Sequence, residues 1–271
     1  MQQKYFSIII VSLNPGERLK TTLDSIFSQV FLDYEIILKD GGSTDGALLS
    51  LQNENYFLDK SVQIIDKKDA GIYDAMNQAL EYATGKYIQF LNCGDSFKDS
   101  DVLQKVYESI ENNQMNPEDK HIFYGDQYNL IQNCMIISVP EINDFACYRN
   151  VPCHQVCFYD KRLFEKRAYK PEYTVRADYE HFLYCIYEER AKTEHIPITI
   201  CYYEGGGYSE TKENRKHSNY QHKEITKKYL GKKALRYRMI MLLTLAPLRS
   251  RIAQSKTLSK YYNKLKSFFY K

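Results

Sequence analysis

The first 110 residues predict an α/β fold, a parallel sheet covered on both faces by helices, which then continues into a less regular mixed portion and a basic helical tail. Three observations carry this. Short unbroken apolar runs alternate with segments of helical periodicity, as right-handed βαβ units require. The alternation stops near residue 110 and short strand-like runs replace it. The charge is also divided along the chain. The whole is close to neutral, with 37 Lys+Arg against 34 Asp+Glu. Residues 211–271, however, hold 17 basic residues and only two acids, Glu213 and Glu224. The body is therefore net −12 and the tail +15. With 271 residues, 44% hydrophobic and 26% charged, the chain can bury a full core and is neither a disordered chain nor a coiled coil.

Each element follows in order. Ser7 to Ser12 is a β-branched run, the pattern of a strand buried on both faces. Asn14-Pro15-Gly16-Glu17 reads as an Asn N-cap, Pro at the first helical position and Glu at the third. Leu19, Leu23, Ile26, Phe27 and Val30 then keep a helical stripe. Tyr34 to Lys39 is a second strand, Gly46 to Phe57 a helix and Val62 to Ile65 a third strand. Ile72, Ala75, Met76, Ala79, Leu80 and Ala83 recur at three- and four-residue spacing, so Gly71 to Ala83 is a helix. Tyr87 to Leu91 is the fourth strand and Val102 to Ile110 a further helix. Beyond it, Ile122–Tyr124, Tyr128–Ile131 and Met135–Val139 read as short strands, with a hairpin around Gln132-Asn133. His154 to Tyr159 is another strand, Tyr179 to Glu188 a helix and Ile196 to Tyr203 a last strand. The expected division is one α/β domain over 1–210, in halves 1–100 and 101–210, followed by the basic helical tail 211–271.

Seven cysteines form an odd set without a CxxC pair. Cys153-His154-x-x-Cys157 lacks the four paired ligands of structural zinc, and buried free thiols suited to a reducing cytosol are the expectation. The apolar stretch Phe6 to Leu13 is too short for a signal peptide, and Met239 to Leu248 falls short of the ~20 residues a membrane span needs. A cytoplasmic protein, peripheral on the inner face of the membrane if the tail binds lipid, is therefore expected.

The chemistry-bearing residues gather where open α/β sheets bind ligands, beyond the carboxyl ends of the strands. The second strand runs into Lys39-Asp40-Gly41-Gly42-Ser43-Thr44-Asp45-Gly46. Asp40 there suits a base or ribose, and the same string also serves as a turn with a helix cap. The fourth strand ends in Leu91-Asn92-Cys93-Gly94-Asp95. Asp95 suits a hard divalent cation completed by substrate phosphates, or equally a turn. Two acidic turns on one edge of one parallel sheet suit a nucleotide with its metal.

Three stretches, SIIIVSLN, EIILKDGGSTDG and DAGIYDAMNQALEYATGKYIQFLNCGD, together resemble the inverting family 2 glycosyltransferases of bacteria, with a GT-A (Rossmann-like) fold. The resemblance is close over residues 6–100 and looser to about 209. It implies that Asp40 contacts the nucleotide base, with Ser12 and Asn14 beside it. It places Asp69 and Gly71 where a helix N-terminus faces the donor diphosphate. Asn92 to Asp95 stands at the family's metal-binding acidic motif, reduced here to one carboxylate, Asp95, for Mg²⁺ or Mn²⁺. Val175-Arg176-Ala177-Asp178-Tyr179-Glu180 resembles the Glu-Asp motif that supplies the catalytic base. Asp178 matches the Asp, Ala177 replaces the Glu and Glu180 is the second candidate. His154-Gln155 resembles a pair that lines the site, and Glu204 to Ser209 a loop that closes over it.

The activity implied is transfer of a sugar from a nucleotide-diphospho-sugar, a UDP-sugar favoured, to a hydroxyl of a glycan or lipid-linked acceptor in cell-surface polysaccharide biosynthesis. Asp178 would take the proton and the metal would stabilise the leaving diphosphate. A sugar nucleotidyltransferase would instead show a basic, Gly-rich phosphate loop after the first strand, which Ser12-Leu13-Asn14-Pro15-Gly16 is not. A silent nucleotide-sugar-binding protein is the other alternative, given the thinned acidic motif. In the tail, Leu235, Met239, Leu242, Leu243 and Leu245 stand among Lys and Arg. That pattern suits an interfacial helix on anionic lipid, or a helix packed on the domain. Nucleic acid is not the expected partner.

Overall fold

The computed structural model describes residues 3–58, 61–149, 151–206 and 211–244. Strand β1 (Phe6–Ser12) is buried along its whole length. It lies between β2 (Tyr34–Asp40) and β4 (Tyr87–Phe90), and β3 (Val62–Asp66) pairs outside β2. All these pairings are parallel, with Ser12 level with Asp40 and Asp40 level with Asp66. The acidic ends of β2 and β4 therefore meet on the same edge, on either side of β1. Helices α1 (Arg18–Phe27), α2 (Ala47–Asn53), α3 (Ile72–Leu80) and α4 (Val102–Glu111) complete the βαβ half. Leu19, Leu23 and Ile26 of α1 are fully buried, as their spacing predicts.

Two local expectations are corrected here. Helix α1 starts at Arg18, and Glu17 caps it without a side-chain bond. Asn14 sits instead in the left-handed region (φ 48°). Its amide N–H donates to Ser43 Oγ (2.8 Å) and its Oδ1 accepts from the Thr44 amide (2.8 Å). It ties the β1 and β2 loops together, and that long-range partner outcompetes a local cap. Val30 lies beyond the end of α1 and is 57% exposed, so the apolar stripe stops at Phe27.

The second half extends the sheet with mixed pairing, giving among the described residues nine strands in the order β3-β2-β1-β4-β8 (Cys157–Asp160)-β6 (His121–Asn129)-β9 (Lys192–Tyr203)-β5 (Ser96–Phe97), with β7 (Cys134–Ile136) beside β6. Residues expected as two strands form one, β6 (His121–Asn129), and the register with β9 (Lys192–Tyr203) slips between Tyr124 and Gln127. Gly125 and Asp126 break the apolar run at that bulge, which is why the sequence reads as two pieces. The hairpin to β7 (Cys134–Ile136) turns at Asn133, which has φ 49°. His154 lies in a 3-10 turn (His154–Val156), not on a strand; β8 (Cys157–Asp160) begins after it and runs antiparallel to β4 and β6. Two elements carry no period a sequence could show, the two-residue β5 (Ser96–Phe97) and the six-residue α5 (Asp144–Arg149).

Helix α6 (Ala177–Tyr187) precedes β9, and α7 (Lys212–Leu230) and α8 (Lys232–Leu243) follow it. Ile225 of α7 is fully buried and belongs to the same core as β1 and α6. The first helix of the basic segment is thus joined to the body. None of the seven cysteines is in a disulfide, and Cys147, Cys157, Cys185 and Cys201 are buried. Among the described residues no helix is long and apolar enough to cross a membrane. Gly207, Tyr208, Ser209 and Leu245, and with Leu245 the rest of the tail to residue 271, lie outside the described residues.

Candidate active site

Two cavities meet at the carboxyl ends of the parallel strands. The first, of about 400 Å³, is lined by Ser12, Asp69, Gly71 and Asn92 together with apolar Val11 and Leu13. The second, of about 350 Å³, is lined by Asn92, Asp95, His154, Asp178, Arg176 and Glu204. Arg18, Ile72, Asn92 and Cys93 border both. Of the residues the sequence singles out, Ser12, Asp69, Gly71, Asn92, Asp95, His154, Gln155, Asp178 and Glu204 line this cleft.

The end of β2 lies beside β1, outside the lining of the first cavity. Asp40 is 1% exposed, and its carboxylate accepts from Ser12 Oγ (2.8 Å), Ser43 Oγ (2.7 Å), Gly42 N (2.9 Å) and Ser43 N (2.6 Å). Burial pushes its pKa up, but these four donors outweigh that and hold it below the usual value. The structure places Asp40 beneath the loop, shaping its turn, rather than on the cavity wall. Asn14 likewise ties loops and does not line the cavity. Beside them lies a group the sequence reading passed over. Lys39 is fully buried, and its ammonium donates to the carbonyls of Asp40 (2.8 Å) and Lys67 and to Asp69 Oδ2 (3.0 Å). Three donors meet three acceptors, which is what lets a lysine sit in a core. Its only sequence signal is a charge inside an otherwise apolar strand. Gly71 opens α3 with φ 134°, a conformation a side chain would strain, and places the start of that helix on the cavity.

In the second cavity Asp178 stands in the first turn of α6. Its Oδ1 accepts from the Tyr73 hydroxyl (2.7 Å) and its Oδ2 lies 3.0 Å from His154 Nδ1. Asn92 Nδ2 is 2.8 Å from the other ring nitrogen, Nε2. With the amide donating to Nε2, the ring proton sits on Nδ1 and is donated to Asp178. A chain of hydrogen bonds thus runs from the β4 turn through His154 to Asp178 and Tyr73. Burial alone would raise the Asp178 pKa, but the bonds from His154 and Tyr73 prevail and keep it below the ordinary value. Tyr73, which the GIYDAMN stretch contains, is the second group missed by sequence reasoning.

Asp95 behaves differently. Burial is the dominant influence and pushes its pKa up to about 6. Its Oδ2 accepts from Gln155 Nε2 (2.9 Å) and its Oδ1 from the Glu204 amide (2.9 Å). Gly94 has φ 103°, and any Cβ there would collide with the Glu204 carboxylate. Arg18 reaches Glu204 Oε2 at 3.7 Å. Glu180, the second candidate for the base, is not part of the cleft. It is fully buried and accepts from Arg167 (2.9 Å), Lys228 (2.9 Å) and Tyr229 (2.5 Å), which ties α6 to α7.

Oxygen donors are what a hard divalent cation requires. Asp95 keeps a free lone pair on each oxygen, and Asn92 Oδ1 is buried without a partner beside it on the cleft. Among the described residues no group of three or more His, Cys, Asp and Glu is placed to hold a metal unaided. The donor set therefore fits Mg²⁺ or Mn²⁺ only with further oxygens from a substrate.

Comparison with known proteins shows the family and the fold. Residues 7–123 match the model for glycosyl transferase family 2. A PGL/p-HBAD biosynthesis glycosyltransferase of Mycobacterium tuberculosis is 34% identical over 216 residues, 78% of this chain and 81% of that protein. An amylovoran biosynthesis glycosyltransferase of Erwinia amylovora is 28% identical over 141 residues, 51% of this chain and 46% of that one. Among solved structures, residues 1–349 of S. aureus TarS in complex with UDP-GlcNAc superpose with a TM-score of 0.61 at 16% identity. That match covers 83% of this chain and 71% of the other. A mannosyltransferase of Pyrobaculum calidifontis, in complex with GDP-Man and Mn²⁺, gives 0.58 at 13% identity, covering 97% and 84%. These structural likenesses establish the mixed α/β architecture of the GT-A type.

Proposed function

The chain belongs to glycosyl transferase family 2, and from that premise we propose that it moves a sugar, with inversion, from a nucleotide-diphospho-sugar to an acceptor hydroxyl. The observation that carries this reading is the pairing of the two cavities. One sits over the ends of β1 and β4 and the start of α3, and the other is walled by a carboxylate held ionised by two donors.

In this reading the nucleotide lies against Ser12, Asp69 and Gly71, and Asp40 shapes the loop beneath it. The diphosphate faces the N-terminus of α3 and Arg18, whose positive ends favour it. Asp178 accepts the proton of the acceptor hydroxyl as that oxygen attacks the anomeric carbon from the side opposite the leaving diphosphate. His154 and Tyr73 fix the carboxylate toward the acceptor. Asp95 and Asn92 would hold Mg²⁺ or Mn²⁺, which supplies Lewis-acid stabilisation of the leaving group when bound. A UDP-sugar is the favoured donor, because the neighbour TarS was solved with UDP-GlcNAc. A lipid-linked or glycan acceptor in cell-surface polysaccharide or glycolipid assembly is favoured by the relatives' roles in PGL/p-HBAD and amylovoran biosynthesis. With it goes a peripheral site of action at a membrane, reached through the basic segment 211–271, the body 1–210 being the catalytic domain.

A panel of nucleotide-sugars, assayed for release of nucleoside diphosphate with and without Mn²⁺, tests the reading. Turnover of one donor, stimulated by metal, is expected. Binding of a donor without hydrolysis or transfer under any condition would point to a silent binding protein instead.

A further inference from the structure

Helix α8 has two apolar faces, and only one is used. Ala234, Tyr237, Ile240 and Met241 are half-buried, and the Tyr237 ring packs against Phe145 (5.4 Å between centroids) and Tyr148 (5.8 Å). Lys233 pins the same side to Asp144 at 2.5 Å. At 100° per residue, Leu235, Met239, Leu242 and Leu243 fall together on the opposite face. They are 66%, 51%, 50% and 78% exposed. Arg236 borders that face on one side and Arg238 on the other, and Lys232 falls within its arc at the start of the helix, all three exposed.

We infer that this outward face of α8 is the seat of the protein on an anionic bilayer surface. Four contiguous large apolar side chains are unusual on the surface of a soluble protein and mark an interaction site. Charge selects the occupant. From Ile225 to Lys271 the chain contains no Asp or Glu at all. A second copy presenting the same face would bring like charges together. Nucleic acid would use the Lys and Arg but leave the leucines in water. An anionic interface satisfies both sets, taking the apolar side chains to the headgroup–acyl boundary and the cations to lipid phosphates. The other face of α8 stays on the domain, and α7, its neighbour across Gly231, contributes Ser218 to the wall of the Asp178 cavity. The helical pair that meets the membrane thus also borders the acceptor site. This deepens, and in its biological sense rests on, the lipid-linked acceptor reading.

The test is binding of the full chain to vesicles without donor or acceptor, so its outcome is independent of turnover. Sedimentation with vesicles of phosphatidylcholine and phosphatidylglycerol in equal parts is expected, with none on phosphatidylcholine alone, and weakening in salt. Leu235→Asp combined with Leu242→Asp should lower partitioning more than about tenfold, and Arg236→Ala or Arg238→Ala by roughly fivefold each. The chain has no Trp, so Leu242→Trp introduces a single reporter in an otherwise intact face. Its emission should shift to the blue with the anionic vesicles. Undiminished binding of the double Asp variant, or an unmoved Trp emission, would overturn the proposal. So would lipid-free dimerisation abolished by the same substitutions, or salt-sensitive DNA binding without vesicle binding.

Discussion

Replacing Asp178 by Asn removes the charge and keeps the shape, so kcat is expected to fall by about 10²–10⁴-fold while donor KM holds. Steady-state kinetics checks this, and unchanged turnover would remove Asp178 from the role of base. The neighbouring residue to test is His154. It touches Asp178 at 3.0 Å and is itself held by Asn92 at 2.8 Å, so in the proposed mechanism it acts on the base through position. His154→Ala should lower kcat by roughly tenfold to a hundredfold, as misplacement of a reacting group does, and should leave donor affinity near that of the parent. His154→Gln, which can still donate to a carboxylate, should recover part of the loss. A His154→Ala variant with raised donor KM and intact kcat would assign the imidazole to the donor instead.

At the scale of the element, β2 ends beside a buried cation, Lys39, whose bonds join the end of that strand to the turn after β3. Lys39→Met takes the ammonium away from the Asp69 carboxylate and from the carbonyls of Asp40 and Lys67. Removing one partner from a buried pair of this kind costs on the order of 3–5 kcal/mol. Denaturant unfolding should show that loss, and donor KM should rise, because Asp69 and Gly71 line the cavity that the lysine braces. Lys39→Met with Asp69→Asn should recover part of the stability. The strands here were legible because a sheet buried on both faces writes itself as unbroken apolar runs, as in Ser7 to Ser12. Helix α3 was equally plain from its 3,4-spacing. Asp95 stood out in the sequence as an acid at a strand end, whereas Asp69 and Asp178 were singled out through the family resemblance. What stayed hidden depends on partners far along the chain. Asn14 looks like a cap until Ser43 and Thr44 are beside it, and Glu180 looks catalytic until Lys228 and Tyr229 close over it. Tyr73 and Asp178 are 105 positions apart, and no local pattern joins them.

For the molecule as a whole, the joint between catalytic body and C-terminal helices is electrostatic at its centre. Glu180 is buried, which alone would raise its pKa, but bonds from Tyr229, Lys228 and Arg167 together bring it below the ordinary 4.5. A carboxylate depressed in the folded state contributes stability that is fully present above the unfolded value and is lost as pH falls through the folded one. Glu180→Gln should therefore destabilise the protein at neutral pH, by on the order of 3 kcal/mol, and flatten the acid limb of its stability profile. Thermal melts across pH 3–7 measure both; an unchanged acid limb would place the sensitivity elsewhere. At the other end of the cleft, the Glu204 amide is spent on Asp95, and Gly94 leaves room for the Glu204 carboxylate to lie against the same turn. Strand β9 thus hands over to the residues after it at the carboxylate that a donor and its cation would claim. In the proposed reaction the donor and its cation settle beside that fastening, so the sugar nucleotide is expected to bind before the acceptor and the free nucleotide to leave last. Product-inhibition kinetics checks this: the nucleotide should compete with the donor alone, and competition against the acceptor would overturn the order.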